Sequence, residues 1–299
     1  MSCKCSVILN THAVGSVYAG DIVTGSVLLE LNKQQTFEKI DFQVFGYSKA
    51  KWSRPKPTMP HIKIYSEKRK VLHIEMDVFS EIIGKSMDPG SYNFPFHFAL
   101  PDDVPSTFAT SIGKTFYYIN TQFHGKWGTK EVTPFIVQRN VNLNEMEEFL
   151  KPSTYTFQKI FWNSGAVTLT FKTYNGFSAN QLVPFEIAIE NDKKVKIREV
   201  KVLLIQKRHY SIKEAYADEE KVVCKTNYKM VLSTTNYDKF KLSMDIPRLT
   251  PSSIKGADHV INISYVLRVE VIFLFHTTLY EDIPITLATV PVIHSDFDI

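Results

Sequence analysis

Basic residues cluster in one stretch of the sequence and are the clearest candidates for binding chemistry. Lys49, Lys51 and Arg54 lie close together around Trp52, and Lys56 follows them. A second basic group comes a few residues later: Lys63, Lys68, Arg69 and Lys70. Ammonium and guanidinium groups bind phosphate oxygens through charge-assisted hydrogen bonds. We therefore take Lys49, Lys51 and Arg54 as candidate contacts for phosphorylated peptide tails or anionic lipid headgroups; a solvated loop with ordinary surface charge is the alternative.

The local pattern also predicts where these charges lie. Lys49, Lys51 and Arg54 follow directly on a strand predicted over Phe42 to Phe45, so we expect them on a loop or strand end that faces water. Trp52 combines an apolar ring with an N–H donor, which suits a membrane interface or a partner's surface.

Sequence patterns for catalysis and metal binding are absent. The chain holds no Gly-x-Ser-x-Gly, no Gly-x-x-x-x-Gly-Lys-Ser/Thr, no His-Glu-x-x-His and no dinucleotide fingerprint. Cys3 and Cys5 stand close together, but no second Cys or His pair completes a tetrahedral metal site, and we interpret them as small residues opening the first strand. Cys224 has no neighbouring His to activate it. We expect no catalytic residue, no metal and no cofactor, and hence no enzyme.

Size, composition and charge limit the class of protein further. The chain has 299 residues, 44% hydrophobic and 22% charged, which fits a globular protein of two domains. A net charge of +4 gives no indication of a nucleic-acid partner. Three cysteines suit a reducing compartment, and the sequence shows neither a signal peptide nor a membrane-spanning apolar run. We expect a cytoplasmic protein, with peripheral association with the plasma membrane or endosomes.

The elements that would position these residues are predicted to be strands. Apolar and polar residues alternate in many short segments, which predicts strands with one buried face. Such segments are residues 27–31, 42–45, 94–98 and 261–265. Turn residues separate them, as in Asn175-Gly176. The nearest approach to a helical period, at Asn144 to Leu150, stops at Pro152. The sequence therefore predicts an all-β protein.

The two halves of the sequence repeat each other. At an offset of 160, Val23 matches Val183 and Leu29 matches Ile189; at an offset of 146, residues 94–100 match 240–246. Two proline-containing sites also match at the second offset: Pro101 with Pro247 and Pro105-Ser106 with Pro251-Ser252. A repeat this long implies two homologous domains in tandem, and chance overlap of two β-rich halves is the alternative. We predict immunoglobulin-like β-sandwiches at residues 1–150 and 151–299, each with about seven to nine strands.

Several segments resemble the arrestin family. They are residues 19–27, 44–52, 89–101, 104–108, 246–252, 261–269, 284–285 and 290–292. The resemblance covers nearly the whole chain in order, and it is closest to the alpha-arrestins, or arrestin-domain-containing proteins. It implies the arrestin fold of two tandem sandwiches. Within these segments we expect Gly20 and Gly25 to take positive φ at bends that flank a strand. Pro95 is expected on an edge strand or at a bulge, because proline cannot donate to a ladder.

The resemblance also implies a function. It predicts a non-enzymatic cytosolic adaptor in membrane-protein trafficking, which binds the cytoplasmic tails of membrane cargo or other trafficking proteins. A structural subunit of a coat or retrieval complex, like the retromer's arrestin-like subunit, is the alternative, and an enzyme or ligand carrier on a β-sandwich is a third class. Alpha-arrestins usually carry Pro-Pro-x-Tyr motifs that recruit WW-domain ubiquitin ligases. No two prolines are adjacent in these 299 residues, so we expect no direct WW-domain binding.

Overall fold

Strands form nearly all of the regular structure. The computed structural model describes residues 3–11, 15–55, 62–125, 128–162, 165–192, 195–229, 236–254 and 259–295. Within these ranges lie twenty strands and one short helix. The prediction of an all-β fold is confirmed.

The elements follow one another along the chain in two series. The first series is β1 (Cys3–Leu9), β2 (Ser16–Tyr18), β3 (Ile22–Leu31), β4 (Gln35–Thr36), β5 (Lys39–Pro55), β6 (Ile62–Met76), β7 (Ser86–Met87), β8 (Gly90–Ala99), β9 (Phe108–Ala109), β10 (Gly113–His124) and β11 (Lys130–Gln138). The second series is α1 (Glu147–Leu150), β12 (Ser153–Phe161), β13 (Gly165–Thr173), β14 (Gly176–Ser178), β15 (Leu182–Asn191), β16 (Ile197–Ile212), β17 (Ala215–Lys229), β18 (Tyr237–Asp245), β19 (Ile261–Phe273) and β20 (Leu279–Ala288).

The first compact unit comprises residues 1–140 together with 210–217 and 254–261. β4 and β7 pair in a small two-stranded sheet. Of the two larger sheets, one has the order β1-β3-β8, and the other has the order β2-β11-β10-β5-β6 with β9 added on β10. The core lies between these sheets: Phe42 of β5 contacts Phe96 of β8 with ring centroids 4.8 Å apart. Phe79 packs at 5.3 Å from Phe123 of β10. Full burial of each such side chain stabilises the unit by about 1.5–3 kcal/mol.

The second compact unit comprises residues 141–209, 218–253 and 262–299. Its sheets have the orders β12-β13-β15-β18 and β14-β20-β19-β16-β17. Phe171 and Phe185 stack in its core with centroids 5.4 Å apart, and both are fully buried. The only segment that sequence reasoning singled out as near-helical contains α1, which is one turn long.

The internal repeat appears as corresponding strands. β2 and β14 are related by 160 residues, as are β3 and β15, while β8 and β18 end 146 residues apart. In both units the short strand β2 or β14 pairs in parallel with the last strand, β11 or β20. The matched offsets therefore mark equivalent strands of two similar sandwiches. The boundary at residues 150 and 151 stays a prediction.

A buried tyrosine occupies the same position in each unit. The hydroxyl of Tyr117 donates a hydrogen bond to the carbonyl of Pro105 at 2.5 Å. Tyr265, 148 residues later, donates to the carbonyl of Thr250 at 2.6 Å. Each bond ties a central strand to the loop that precedes it, and each satisfies a polar group that burial would otherwise leave unpaired.

The repeated Pro-Ser pair has a structural role of the same kind. The hydroxyl of Ser106 accepts a hydrogen bond from the backbone N–H of Arg139, and that of Ser252 accepts one from Leu287, both at 2.9 Å. These bonds fasten the loop to the end of β11 or to β20. The matched Pro-Ser sites therefore stabilise the fold.

The expectations for two glycines and a proline have different outcomes. Gly20 takes a φ of +89° between β2 and β3, as predicted. The expectation for Gly25 is wrong, because it lies inside β3 without positive φ; a Cβ there would meet the carbonyl oxygen of Ile8 at 2.5 Å. Close backbone approach is therefore what requires glycine at this position. Pro95 lies in β8, an edge strand, and that prediction is confirmed.

Candidate functional site

The candidate contacts Lys49, Lys51 and Arg54 lie on β5. All three are exposed, as expected. β5 continues to Pro55 and stays paired with β6 as far as Ile62, so Lys49 and Lys51 lie within a strand and only Arg54 lies at its end. The expectation of a loop is therefore wrong for the two lysines. Lys56 lies outside the described residues.

Strand alternation divides the three charges between two faces. Successive side chains of a strand point to opposite faces, so Lys49 and Lys51 share the outer face of the sheet. Ala50 and Trp52, which alternate with them, are buried. Arg54 has the same parity as Trp52 and lies on the opposite side from the two lysines. The sequence-predicted trio is therefore not a single site.

Arg54 is occupied by contacts within the first unit. Its Nη2 donates a hydrogen bond to the carbonyl oxygen of Tyr216 at 2.6 Å, and its guanidinium lies 6.0 Å from the centre of that ring. On the neighbouring strand, Lys63 forms a salt bridge with Glu214 at 2.9 Å, which raises the pKa of Lys63. This side of the β5-β6 hairpin therefore binds segment 210–217, and Arg54 is a packing residue.

A third contact to the same segment supports this assignment. The carboxylate of Glu67 accepts a hydrogen bond from the backbone N–H of Lys213 at 2.9 Å. That bond, followed by the hydrogen bond from Arg69, lowers the pKa of Glu67. Since Arg54, Lys63 and Glu67 all contact the segment, the inner side of the hairpin is structural.

Trp52 does not face a membrane or a partner. Its side chain is 9% exposed, and its ring stacks on Tyr65 with centroids 5.9 Å apart. The expectation of an interfacial tryptophan is wrong, because the period-two alternation of β5 continues through this residue and turns its ring inward.

The outer face gathers lysines from three strands. Lys68 of β6 and Lys114 of β10 are the cross-strand partners of Lys49, one on each side. Lys70 is the cross-strand partner of Tyr47, and Lys51 lies beyond Lys49 toward the hairpin end. We call these five residues the lysine face: Lys49, Lys51, Lys68, Lys70 and Lys114. In the part of the chain that the structure describes, none of them forms a salt bridge with a carboxylate.

Four aromatic rings adjoin the lysine face on the same side of the sheet. Phe45, Tyr47, Phe116 and Tyr118 have neighbouring centroids between 5.4 and 6.3 Å apart, and we call them the aromatic cluster. The ammonium group of Lys68 lies 3.7 Å from the centre of the Tyr47 ring. Cation–π attraction of this kind holds an ammonium group in place without neutralising its charge.

Two exposed isoleucines continue the outer face beyond the lysines. Ile62 and Ile64 precede Ser66 and Lys68 on β6 at alternate positions, so all four side chains point to the same side of the sheet. Ile62 and Ile64 are 69% and 60% exposed. Toward the hairpin end, the outer face thus runs from aromatic rings to lysines and then to bare aliphatic side chains.

The second unit shows what the equivalent face looks like when its charges are compensated. Lys207 stands 160 residues after Tyr47, and its ammonium group lies 2.7 Å from Asp282. Arg268 forms a second salt bridge with Asp282 at 2.6 Å and a third with Glu220. The Arg268 hydrogen bond is the main cause of the lowered pKa of Asp282. This face supplies its own counter-ions, whereas the lysine face leaves its charges available to an external anion.

Sequence reasoning missed part of the site. It identified Lys49 and Lys51 but assigned no role to Lys114, the aromatic cluster or the two isoleucines. One signal was available: Lys49 and Lys51 are separated from Phe42 and Val44 by odd numbers of residues, so a strand that continued to Trp52 would place the two lysines on the opposite, outward face. The pairing of β10 and β6 on either side of β5 was not readable from sequence.

The cysteines have structural positions. Cys3 and Cys5 are buried side chains of β1, and burial raises the pKa of Cys5 to about 12. Burial also raises the pKa of Cys224 to about 11. Thiols with such pKa values are almost fully protonated near neutral pH and are poor nucleophiles. Among the described residues no group of His, Cys, Asp and Glu is arranged to hold a metal ion. No helix in the described ranges is long and apolar enough to cross a membrane.

Comparison with known proteins adds an independent line of evidence. The family model described as arrestin (or S-antigen), N-terminal domain, matches residues 5–144, and the model for the arrestin C-terminal domain matches residues 163–292. Arrestin domain-containing protein 1 of Rattus norvegicus is 26% identical over 194 residues, which are 62% of this chain and 44% of that protein. Arrestin domain-containing protein 5 of Homo sapiens is 24% identical over 181 residues, 58% of this chain and 53% of that protein. The chain thus matches about half the length of these relatives.

Proposed function

Since the chain belongs to the arrestin family, we propose that it is a non-enzymatic cytosolic adaptor in membrane-protein trafficking. It binds cytoplasmic segments of membrane cargo and couples them to endocytosis or sorting. The observation that carries this proposal is the lysine face, where five ammonium groups lie together without carboxylate partners in the described residues.

The absence of internal ion pairs on this face matters energetically. An anionic ligand that binds a salt-bridged lysine must first displace the carboxylate. On the lysine face no carboxylate of the described residues has to be displaced; Lys70 lies 3.2 Å from Nδ1 of His73, and Lys68 lies over the Tyr47 ring. Charge-assisted hydrogen bonds from ammonium to phosphate or carboxylate oxygens are roughly twice as strong as neutral ones. Acidic or phosphorylated tails of cargo proteins are therefore the partners that this face favours.

Affinity capture from cells tests the proposal. The full chain is compared with Lys49→Glu/Lys51→Glu and with Lys33→Glu/Lys85→Glu, a control with two exposed lysines outside the lysine face. An adaptor captures transmembrane proteins, and the first variant loses them while the control keeps them. A fixed stoichiometric complex that survives both sets of substitutions would instead indicate a subunit of a coat or retrieval complex.

Two further partner properties belong to the same proposal. The protein works in the cytoplasm and reaches the plasma membrane or endosomes as a peripheral protein. Isolated WW domains should show no specific binding in direct titration, because the sequence contains no adjacent prolines. Micromolar WW-domain binding would show that a non-standard motif recruits ubiquitin ligases directly.

A further inference from the structure

We propose that two copies of this chain form a dimer in which their β12 strands pair in antiparallel orientation, with Thr156 of one copy opposite Thr156 of the other. The inference goes beyond the proposed function and does not depend on it. It is carried by the unprotected edge of β12, by the uncharged side chains along its exposed face and by the apolar side chains at its end.

β12 is an edge strand of the second unit. It pairs with β13 over its whole length, from Ser153 to Phe161, and within the described ranges no strand pairs with its other side. The backbone N–H and C=O groups that point away from β13 therefore lack a strand partner. A row of such groups is a template for pairing with a strand of another chain.

Folded proteins usually protect an edge strand with charged side chains or a proline. Other edge strands of this chain have this protection: β18 carries four charged residues, β17 carries six, and β8 contains Pro95. β12 contains no proline and a single charged residue, Lys159. The ammonium group of Lys159 donates a hydrogen bond to the hydroxyl of Thr277 at 2.7 Å, so this charge is held at the connection between β19 and β20. The composition of β12 is therefore that of a strand that pairs.

The exposed face of β12 is self-complementary in the proposed register. Thr154, Thr156 and Gln158 alternate along this face. With the two-fold axis at Thr156, the two copies of Thr156 stand opposite each other, and Thr154 of each copy stands opposite Gln158 of the other. Hydroxyl and amide side chains in such cross-strand pairs form hydrogen bonds that stabilise a sheet.

The apolar end of the strand also finds a partner in this register. Ile160 is 78% exposed, and Trp162, which follows the strand, is 92% exposed. Ile160 of one copy lies opposite Pro152 of the other, the residue that precedes β12, and Trp162 lies just beyond this contact. Burial of apolar surface at both ends of the paired strands therefore adds to the backbone hydrogen bonds.

The charge pattern favours a second β12 over a cargo tail as the partner. An acidic or phosphorylated tail, the ligand class that the lysine face favours, would meet no cation along the exposed face of β12. A second copy of β12 supplies an uncharged strand with the same free edge, so one contact satisfies both edges.

The proposed contact closes at two copies. Pairing joins the four strands β18-β15-β13-β12 of each copy into one continuous sheet. The outer edges of that sheet are the two β18 strands, whose charged residues oppose further pairing: Asp238, Lys239, Lys241 and Asp245. A contact that uses the same surface on both copies forms a closed two-fold dimer. Such a dimer carries two lysine faces, whatever ligand this face binds.

Sedimentation equilibrium of the full chain, with charge variants of β12, tests the proposal. Wild-type protein should change from the mass of one chain to twice that mass as its concentration rises. Thr154→Lys/Gln158→Lys should weaken the dimer about fivefold, because two cross-strand pairs become Lys opposite Lys. Thr154→Glu/Gln158→Lys places Glu opposite Lys at the same positions and should bind at least as tightly as wild type.

Two controls separate the charge pairing from non-specific effects. A mixture of Thr154→Lys/Gln158→Lys with Thr154→Glu/Gln158→Glu should form mixed dimers, although each variant alone dimerises weakly. Ser243→Lys adds a charge at an exposed position of β18, the opposite edge of the same sheet, and should leave the dimer unchanged. All variants should unfold near the wild-type temperature because the changed side chains are exposed.

Disulfide cross-linking tests the register. In a Cys224→Ser background, where Cys3 and Cys5 are buried, Thr156→Cys should form a disulfide between two copies, because opposite Cα atoms lie about 4.5–5.5 Å apart. Thr154→Cys alone should not, since its two copies would lie four residues apart, about 13 Å along the strands. Thr154→Cys/Gln158→Cys should cross-link again.

The outcomes decide the proposal without reference to cargo. A mass that stays that of one chain at the highest soluble concentration overturns the dimer. A dimer that all charge variants form equally well overturns the assignment to β12, and cross-linking of Thr154→Cys without that of Thr156→Cys overturns the register. Lys49 and Lys51 are unchanged in every variant, so none of these results bears on ligand binding at the lysine face.

Discussion

Three lysines stand in a row across β10, β5 and β6, and their mutual repulsion should lower the free energy of unfolding of the first unit. Lys49 lies between Lys114 and Lys68 as their direct cross-strand partner, and the described residues give this row no carboxylate. Like charges placed opposite each other on neighbouring strands are destabilising. We therefore predict that Lys49→Glu stabilises the first unit, since it replaces two repulsions by two attractions.

The magnitude follows from the geometry of the row. Ammonium groups on adjacent strands are about 7 Å apart, given the cross-strand spacing and the length of the side chains. Two unit charges at this distance in water interact by about 0.6 kcal/mol, and screening at about 0.15 M salt reduces this to about 0.25 kcal/mol. Lys49→Glu removes two repulsions and adds two attractions, so the change is four times this energy. It amounts to about 1 kcal/mol at physiological salt and about 2 kcal/mol at about 0.01 M salt.

Thermal unfolding of the full chain measures the effect. For a unit of about 150 residues, 1 kcal/mol corresponds to a rise of about 2–4 °C in Tm. Lys49→Gln, which removes the repulsions without adding attractions, should give about half the shift. The reasoning is refuted if Lys49→Glu lowers Tm, or if its effect is equally large at low and high salt. A gain in stability together with lost binding of acidic or phosphorylated peptides would identify the row as a site kept for function at the expense of stability.

Three further predictions concern stability. Tyr265→Phe should lower the free energy of unfolding, measured by chemical denaturation, by about 2–3 kcal/mol, and Tyr117→Phe should lower it by about 1–2 kcal/mol. The loss is larger for Tyr265 because its hydroxyl also accepts a 2.7 Å hydrogen bond from a buried glutamine side chain. Equal losses would contradict this. Gly46→Ala should destabilise the first unit by about 1–3 kcal/mol, because the added Cβ would lie 2.5 Å from the Tyr117 ring. An unchanged Tm would show that the Tyr117 ring can move away without loss of stability. The hydrogen bond from Arg268 lowers the pKa of Asp282 in the folded protein. The ionised carboxylate therefore stabilises the fold at pH values above its unfolded pKa of about 3.9. This contribution is lost as the pH falls through the lower pKa of the folded state. Between about pH 5 and pH 2, wild type should therefore lose more stability than Asp282→Asn, and parallel pH profiles would contradict the assignment.

The sequence by itself determined the fold class and the family. Alternation of apolar residues, as at Phe42 and Val44, requires strands with one buried face, and this signal is local. The offsets of 160 and 146 correspond to equivalent strands: β2 and β14 have three residues each, β3 and β15 have ten each, and both units keep the same Pro-Ser site. The arrestin resemblance read from short segments is confirmed by the two domain models.

Only the tertiary structure decided which side chains belong together. Lys114 is far from Lys49 in sequence and beside it in space, because β10 pairs with β5 in a register that long-range hydrogen bonds and core packing fix. The pairing of β5 with β6 shifts by one residue between Gly46 and Tyr47. Because of this shift, Lys68 stands opposite Lys49 and points outward; without it, a residue of the opposite parity on β6 would take that place. Arg54, one of the three predicted contacts, lies on the other side of the hairpin from Lys49 and Lys51, and Trp52 is buried. Adjacency in sequence does not place residues on one face of a strand, since each step along a strand turns the side chain to the other side of the sheet.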